Sequence, residues 1–252
     1  MTKTESFRIE RVLGLVARAR RARDIPVGLR SAGWRRSPVD PMDLLRVFKP
    51  LGLKRGFTLC AFIVGEANGN GVVWAVPSGP LRFENEDEAA FLDPSGPRDL
   101  IAEFDNVTRG RNPPRPIGAV DDLRSLLFAS GSCWSYVCAS LFAREAAEFG
   151  AEWHGCFWSD WKVVGGIPRL EFDKVSPGSD AYESPWTWLE PEPSRWEPTV
   201  TMTDDEVVVV FHAFTEFGSR RITRFTDHYK PGSYVFRSEP KDIALAGGGL
   251  IH

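Results

Sequence analysis

Sulfur and imidazole are scarce in this chain: its 252 residues include four cysteines, three methionines and four histidines. Cys60, Cys133, Cys138 and Cys156 form no short-spaced framework. That argues against a disulfide scaffold and for a reducing compartment, so a cytoplasmic location is expected. Long apolar runs are also missing. None approaches the ~20 residues of a membrane-spanning helix, so no transmembrane segment is expected, and residues 1–23 lack the apolar core of a secretory leader. No repeat at solenoid periods occurs. A formal net charge of −3 excludes a global bias toward nucleic acid, while 42% hydrophobic content suffices for one substantial core or two small ones.

Charge is present but uneven. Residues 1–36 hold ten Lys or Arg against three Asp or Glu. Val12, Leu13, Leu15 and Val16, beside Arg8, Arg11, Arg18, Arg20, Arg21 and Arg23, predict a basic amphipathic helix. Such an arm has two uses: to touch an acidic partner or an anionic surface, or to dock its short apolar stripe on the body. Further on, Asp40 and Pro41 suit the N-cap and first turn of a helix running through Phe48 and stopped by Pro50. Segments 57–64 and 72–76 flank a polar, glycine-rich stretch and predict a hairpin. Gly69 and Gly71 in that stretch lack the remaining glycines and the Lys of a phosphate-binding loop, so they read as turn chemistry. Short helical pieces are expected at 87–91 and 99–104, and the Pro-rich stretch 112–116 reads as a stiff connector. The expected organisation is therefore a basic arm over 1–36, an α+β region over 37–116 and a catalytic region over 117–252.

The catalytic reading begins at Cys133. Gly131, Ser132, Cys133 and Trp134 precede a stretch in which Trp134, Cys138, Leu141, Phe142 and Phe149 recur at helical steps, with Gly150 suited to the position just past its end. A thiol at a helix N-terminus faces unpaired backbone N–H groups and the positive end of the macrodipole, which favours its thiolate. A nucleophilic thiol needs a base. His212 lies in 207–214, a run rich in β-branched and aromatic residues that reads as a buried strand. Residues 221–227 follow the turn-like Gly218 and Ser219 and read as its hairpin partner. A two-residue loop, or that register moved one further step on each strand, brings Asp227 to the face of His212; a three-residue loop puts it on the other face.

These residues carry a resemblance. Gly131-Ser132-Cys133-Trp134, a helix closing at Phe149-Gly150-Ala151, the strand Phe211-His212-Ala213-Phe214 and then Asp227 resemble, in this order, the transglutaminase-like superfamily within papain-like folds. The resemblance covers roughly residues 120–240. It departs from the family's pattern at Phe214, where tryptophan is usual, and in the 79 residues from Cys133 to His212, which imply an insertion at about 160–205. It implies an α+β, papain-like core in which a helix with an N-terminal Cys packs on an antiparallel sheet. It further implies Cys133 as nucleophile, His212 as base, Asp227 as the group that orients the imidazole, and thiol-dependent acyl transfer on protein or peptide amides without a cofactor. Resolution of the thioester by an amine, or by water, would separate cross-linking from deamidation and peptide hydrolysis.

Rival readings use the same side chains. Cys133, Cys138, His154 and Cys156 offer thiolate and imidazole ligands for zinc, but no paired Cys-x2-Cys knuckle occurs, and residues five apart on a helix point about 140° apart, so no metal site is expected. His228 adjoins Asp227 but reads as a strand-end surface residue, and His252 as a solvated last residue. Six of nine tryptophans fall between the Cys helix and the His strand: Trp153, Trp158, Trp161, Trp186, Trp188 and Trp196. Either they staple a long loop to the core, or Trp134, Trp186 and Trp188 wall a substrate groove, with Glu190 and Glu192 attracting a cationic amine. Aromatic platforms beside carboxylates also fit a peptide- or carbohydrate-binding protein with no chemistry of its own.

Overall fold

The computed structural model describes residues 2–25, 34–64, 71–84, 113–151, 158, 160–169 and 186–246. These residues form three α-helices and antiparallel sheets, an α+β content. The chain divides into two compact units: Met1–Leu13, Asp160–Pro231 and Phe236–His252 make one, Gly14–Ser159 and Gly232–Val235 the other. The boundaries read from composition, after residues 36 and 116, both fall inside the second unit. Composition reports local chemistry, whereas the units follow pairings between residues far apart in the chain. The short helical pieces expected at 87–91 and 99–104 lie outside the described residues. Among the described residues, no helix is long and apolar enough to cross a membrane.

The first unit is built on one antiparallel sheet. Its strands are β1 (Lys3–Ser6), β7 (Lys162–Val163), β8 (Thr187–Trp188), β9 (Thr199–Met202), β10 (Val207–Thr215), β11 (Arg220–Tyr229) and β12 (Phe236–Ala246). The order is β1-β9-β10-β11-β12-β8, with β7 also on β10. The run Val207–Thr215 forms the expected strand because β-branched and aromatic side chains fit a pleated surface buried on both faces. Residues 3–6, expected within a helical arm, instead pair with β9, Thr4 opposite Thr201. Away from β11, the described partner of β12 is β8, which meets only Ala244 and Leu245; residues 237–242 of β12 are exposed and include Pro240.

The second unit holds β2 (Trp34–Arg36), β3 (Gly52–Leu53), β4 (Phe57–Val64), β5 (Val72–Pro77) and β6 (Leu127–Phe128), with helices α2 (Pro41–Val47) and α3 (Cys133–Ala147). The hairpin read from the sequence is β4 with β5, Leu59 opposite Ala75. Asp40 caps α2 as expected, its carboxylate accepting the Met42 N–H at 2.9 Å. Phe48, fully buried, packs edge-on against Phe142 of α3 with ring centroids 5.6 Å apart. Gly150 takes φ +67° beyond the end of α3, the left-handed conformation expected there.

Helix α1 (Ile9–Arg23) begins in the first unit and ends in the second. Val12, Leu15, Val16 and Ala19 recur at three- and four-residue steps and are buried, while Leu13 is exposed. The stripe is thus docked, the second of the two uses expected for the arm. Its last turn is held by charge. Buried Arg23 donates from Nε to Glu145 of α3 at 2.6 Å and from its guanidinium to the Glu148 carbonyl. Glu145 also accepts the indole N–H of Trp158 at 2.7 Å, and the Glu148 carboxylate accepts the Trp158 backbone N–H at 3.0 Å. Burying these two carboxylates costs solvation that the donors offset. Arg11, Arg18 and Arg21 remain exposed.

Candidate functional site

Cys133 is the first residue of α3. Gly131 takes φ +73°, a conformation that strains a side chain, and so turns the chain into Ser132. Ser132 is the N-cap, its hydroxyl accepting the Ser135 N–H at 3.3 Å. The helix start read from the sequence is therefore the one observed. The thiol is not open to solvent: Cys133 is 1% exposed, and Tyr136, one turn on, is equally buried. Trp134 beside it is half-buried.

His212 and Asp227 lie in the first unit and Cys133 in the second. Within the first unit the β10–β11 register decides what the imidazole meets. His212 lies opposite Arg224, and Asp227 lies opposite Val209. Side chains alternate faces along a strand, so His212 and Asp227 are on opposite faces of the sheet. This corrects the expectation that a hairpin closing at Gly218 and Ser219 brings the carboxylate to the imidazole. The observed register has the parity of a three-residue loop, and the turn starts earlier than those residues suggest, the Thr215 hydroxyl accepting the Phe217 N–H at 3.1 Å. Asp227 is fully buried on the face that carries Phe211 and Phe225, whose rings stack 5.3 Å apart.

On the other face, His212 is 4% exposed. Burial lowers its pKa, helped by the positive charge of Arg224 and opposed by a hydrogen bond to the backbone of Trp196. Nδ1 is buried without a hydrogen-bond partner among the described residues. Among the described contacts of the His212 ring is the indole of Trp196 rather than Asp227.

Trp161, Trp186, Trp188 and Trp196 pack on the sheet of the first unit. Trp186 meets Phe214 edge-on at 5.8 Å, Trp188 meets Trp196 at 6.3 Å, and Trp196 leans on His212 at 5.2 Å. Trp186, Trp188 and Trp196 cover a buried cluster of Phe214, Ile222, Ile243 and Ala244, the staple reading of these side chains. Trp161 packs on Phe225 at 5.4 Å, and Trp158 belongs to the ion network of α3. Glu190 is engaged by Lys241 and by Arg224, the latter at 2.7 Å, and these hydrogen bonds and charges hold its carboxyl below the usual range. It is therefore already balanced by the chain's own cations.

His154 and Cys156 lie outside the described residues, as do Trp153 and His252, and among the described residues no three His, Cys, Asp or Glu side chains are grouped to hold a metal ion. Cys138 is fully buried within α3. His228 lies near the end of β11, its Nδ1 2.8 Å from Glu206. Burial pushes the Cys60 thiol up to about 12 against the lowering effect of Arg36, which makes it an unreactive reference. No family model matches the chain, and neither a curated protein nor a solved structure matches it.

Proposed function

We propose that the chain is a thiol-dependent acyl-transfer protein acting on protein or peptide amides, with a papain-like, transglutaminase-like core and Cys133 as its nucleophile. The observation that carries this reading is the position of Cys133 as the first residue of α3, behind the left-handed Gly131 and the N-cap Ser132. The helix dipole there favours a thiolate. The thiolate attacks an amide carbonyl and the developing oxyanion draws on backbone N–H donors at the helix start. The C–N bond then breaks, the amine leaves with a proton from the base, and an amine or water resolves the thioester. His212 is the base that the resemblance assigns; its depressed pKa keeps the imidazole neutral, the form of a proton acceptor, at neutral pH. Asp227 drops out as its orienting group, because it sits on the opposite face of β10–β11.

Iodoacetamide labelling at pH 6 tests the reading, since alkylation requires both access and thiolate. Cys133 should react faster than Cys60, Cys138 and Cys156, and lose that lead in His212→Ala. Incorporation of a fluorescent primary amine, ammonia release from glutamine peptides and backbone cleavage, each absent in Cys133→Ala, would then distinguish transferase, deamidase and peptidase.

A second reading is favoured by one observation, the 1% exposure of Cys133. In it the chain is a catalytically inactive relative of the same architecture, or a tryptophan-rich protein that binds extended peptide or carbohydrate. Slow, equal labelling of all four thiols would select it.

A further inference from the structure

We propose that Tyr234 is a positioning residue for Cys133, forming with Tyr136 a reciprocal clasp that fixes the turn before α3. The proposal rests on the reading of Cys133 as nucleophile, but the clasp itself is a matter of geometry within the second unit. Tyr234 comes from Gly232–Val235, the segment between β11 and β12 that belongs to this unit. Its hydroxyl accepts the Gly131 N–H at 3.2 Å and lies 3.0 Å from the Ser135 hydroxyl. Ser135 spends its own proton on the Ser132 carbonyl at 2.6 Å, so the proton between Ser135 and Tyr234 comes from Tyr234. A directed relay results: Gly131 N–H to Tyr234, Tyr234 to Ser135, Ser135 to the Ser132 carbonyl. It begins and ends on the two residues that precede Cys133.

The partner half runs the other way. The Tyr136 hydroxyl accepts the Gly232 N–H at 2.9 Å and so holds the segment that carries Tyr234. The two rings lie 5.1 Å apart and tilted by 30°, and both side chains are buried, Tyr136 at 1% and Tyr234 at 3% exposure. Tyr234 thus fixes the amide of Gly131 before the helix that carries Tyr136, and Tyr136 the amide of Gly232 before Tyr234. Cys133 and Tyr136 are three apart on one helix and share a face. Buried hydroxyl pairs of this kind are costly to leave half made, so the geometry of the turn and the seating of Tyr234 stand or fall together. The consequence for Cys133 is a backbone held in register with the helix axis, the condition for its sulfur to feel the helix terminus.

Tyr234→Phe in the full chain keeps the ring and deletes the hydroxyl. Site-resolved amide exchange should show the Gly131 N–H exchanging about ten-fold faster, the scale of one lost hydrogen bond, with the amides in the middle of α3 unchanged. Tyr136→Phe should do the same to Gly232 and, through the released segment, to Gly131. In both variants the iodoacetamide lead of Cys133 over Cys138 at pH 6 should fall severalfold. Unchanged Gly131 exchange in Tyr234→Phe, or acceleration spread evenly along α3, would overturn the clasp; a larger Cys133 lead would overturn its positioning role and make it a cover instead. Equal labelling of the two thiols in the wild type would remove the nucleophile, a failure read separately from the exchange.

Discussion

At its first turn α3 is gripped by neutral groups, two tyrosine hydroxyls and a serine, whereas its last two turns are gripped by charge, with Arg23, Glu145 and Glu148 out of solvent. The two grips differ in what their loss leaves behind. Removing a hydroxyl leaves one amide short of a partner, but removing one ion leaves an uncompensated buried charge. The neutral grip also adds no formal charge beside the candidate thiol, while the ionic grip sits more than two turns away along the helix. A chain that must keep one end of a helix electrostatically quiet and the other end fixed is served by this division.

Three variants break or sharpen that contrast, from the largest effect down. Glu145→Ala should cost about 3–5 kcal/mol in urea denaturation, because it strands buried Arg23 and the Trp158 indole N–H. The apolar double replacement Arg23→Met with Glu145→Leu should recover much of the loss, and failure to do so would mean that the network carries more than a paired burial. Ser132→Ala, at the neutral end, should cost about 1 kcal/mol in the same assay, the usual worth of an N-cap hydroxyl. A cost equal to that of Glu145→Ala would erase the distinction between the two ends.

The smallest expected effect lies in the other unit and depends on pH. His212 has its pKa lowered in the folded state, chiefly by burial, so the unfolded chain takes up the proton first as pH falls. Stability should therefore be full above the ordinary histidine range and decline as pH drops below about 6.5 toward the depressed folded value. Melting temperatures measured from pH 7.5 to 5 should fall less steeply in His212→Asn than in the wild type. An equal slope would show that the imidazole accepts its proton in place.

What could be read from the sequence was the local chemistry. Asp40 with Pro41, the hairpin of β4 and β5, and the start of α3 at Ser132 and Cys133 each have their cause within a few residues, and each is where it was expected. Lys3–Ser6 carries no strand signal of its own; it is extended because β9 offers it a partner nearly two hundred residues away. The pairing of Arg23 with Glu145 is equally silent, since the arm's basic residues look alike until one of them is buried. The relation of His212 to Asp227 turned on the parity of the hairpin, which one residue more or less in the turn reverses. The reciprocal tyrosines hold backbone amides, contacts that no pattern of side-chain types displays.

Pro240 in the exposed stretch of β12 has a consequence beyond the fold. Proline has no N–H to offer and is tolerated in a sheet where that position faces outward. Flanked by Glu239, Lys241 and Asp242, it interrupts the row of donors that a neighbouring molecule would need to extend the sheet. The margin is thereby a poor template for strand addition by other copies, which gives this border of the protein its own protection against self-association at high concentration.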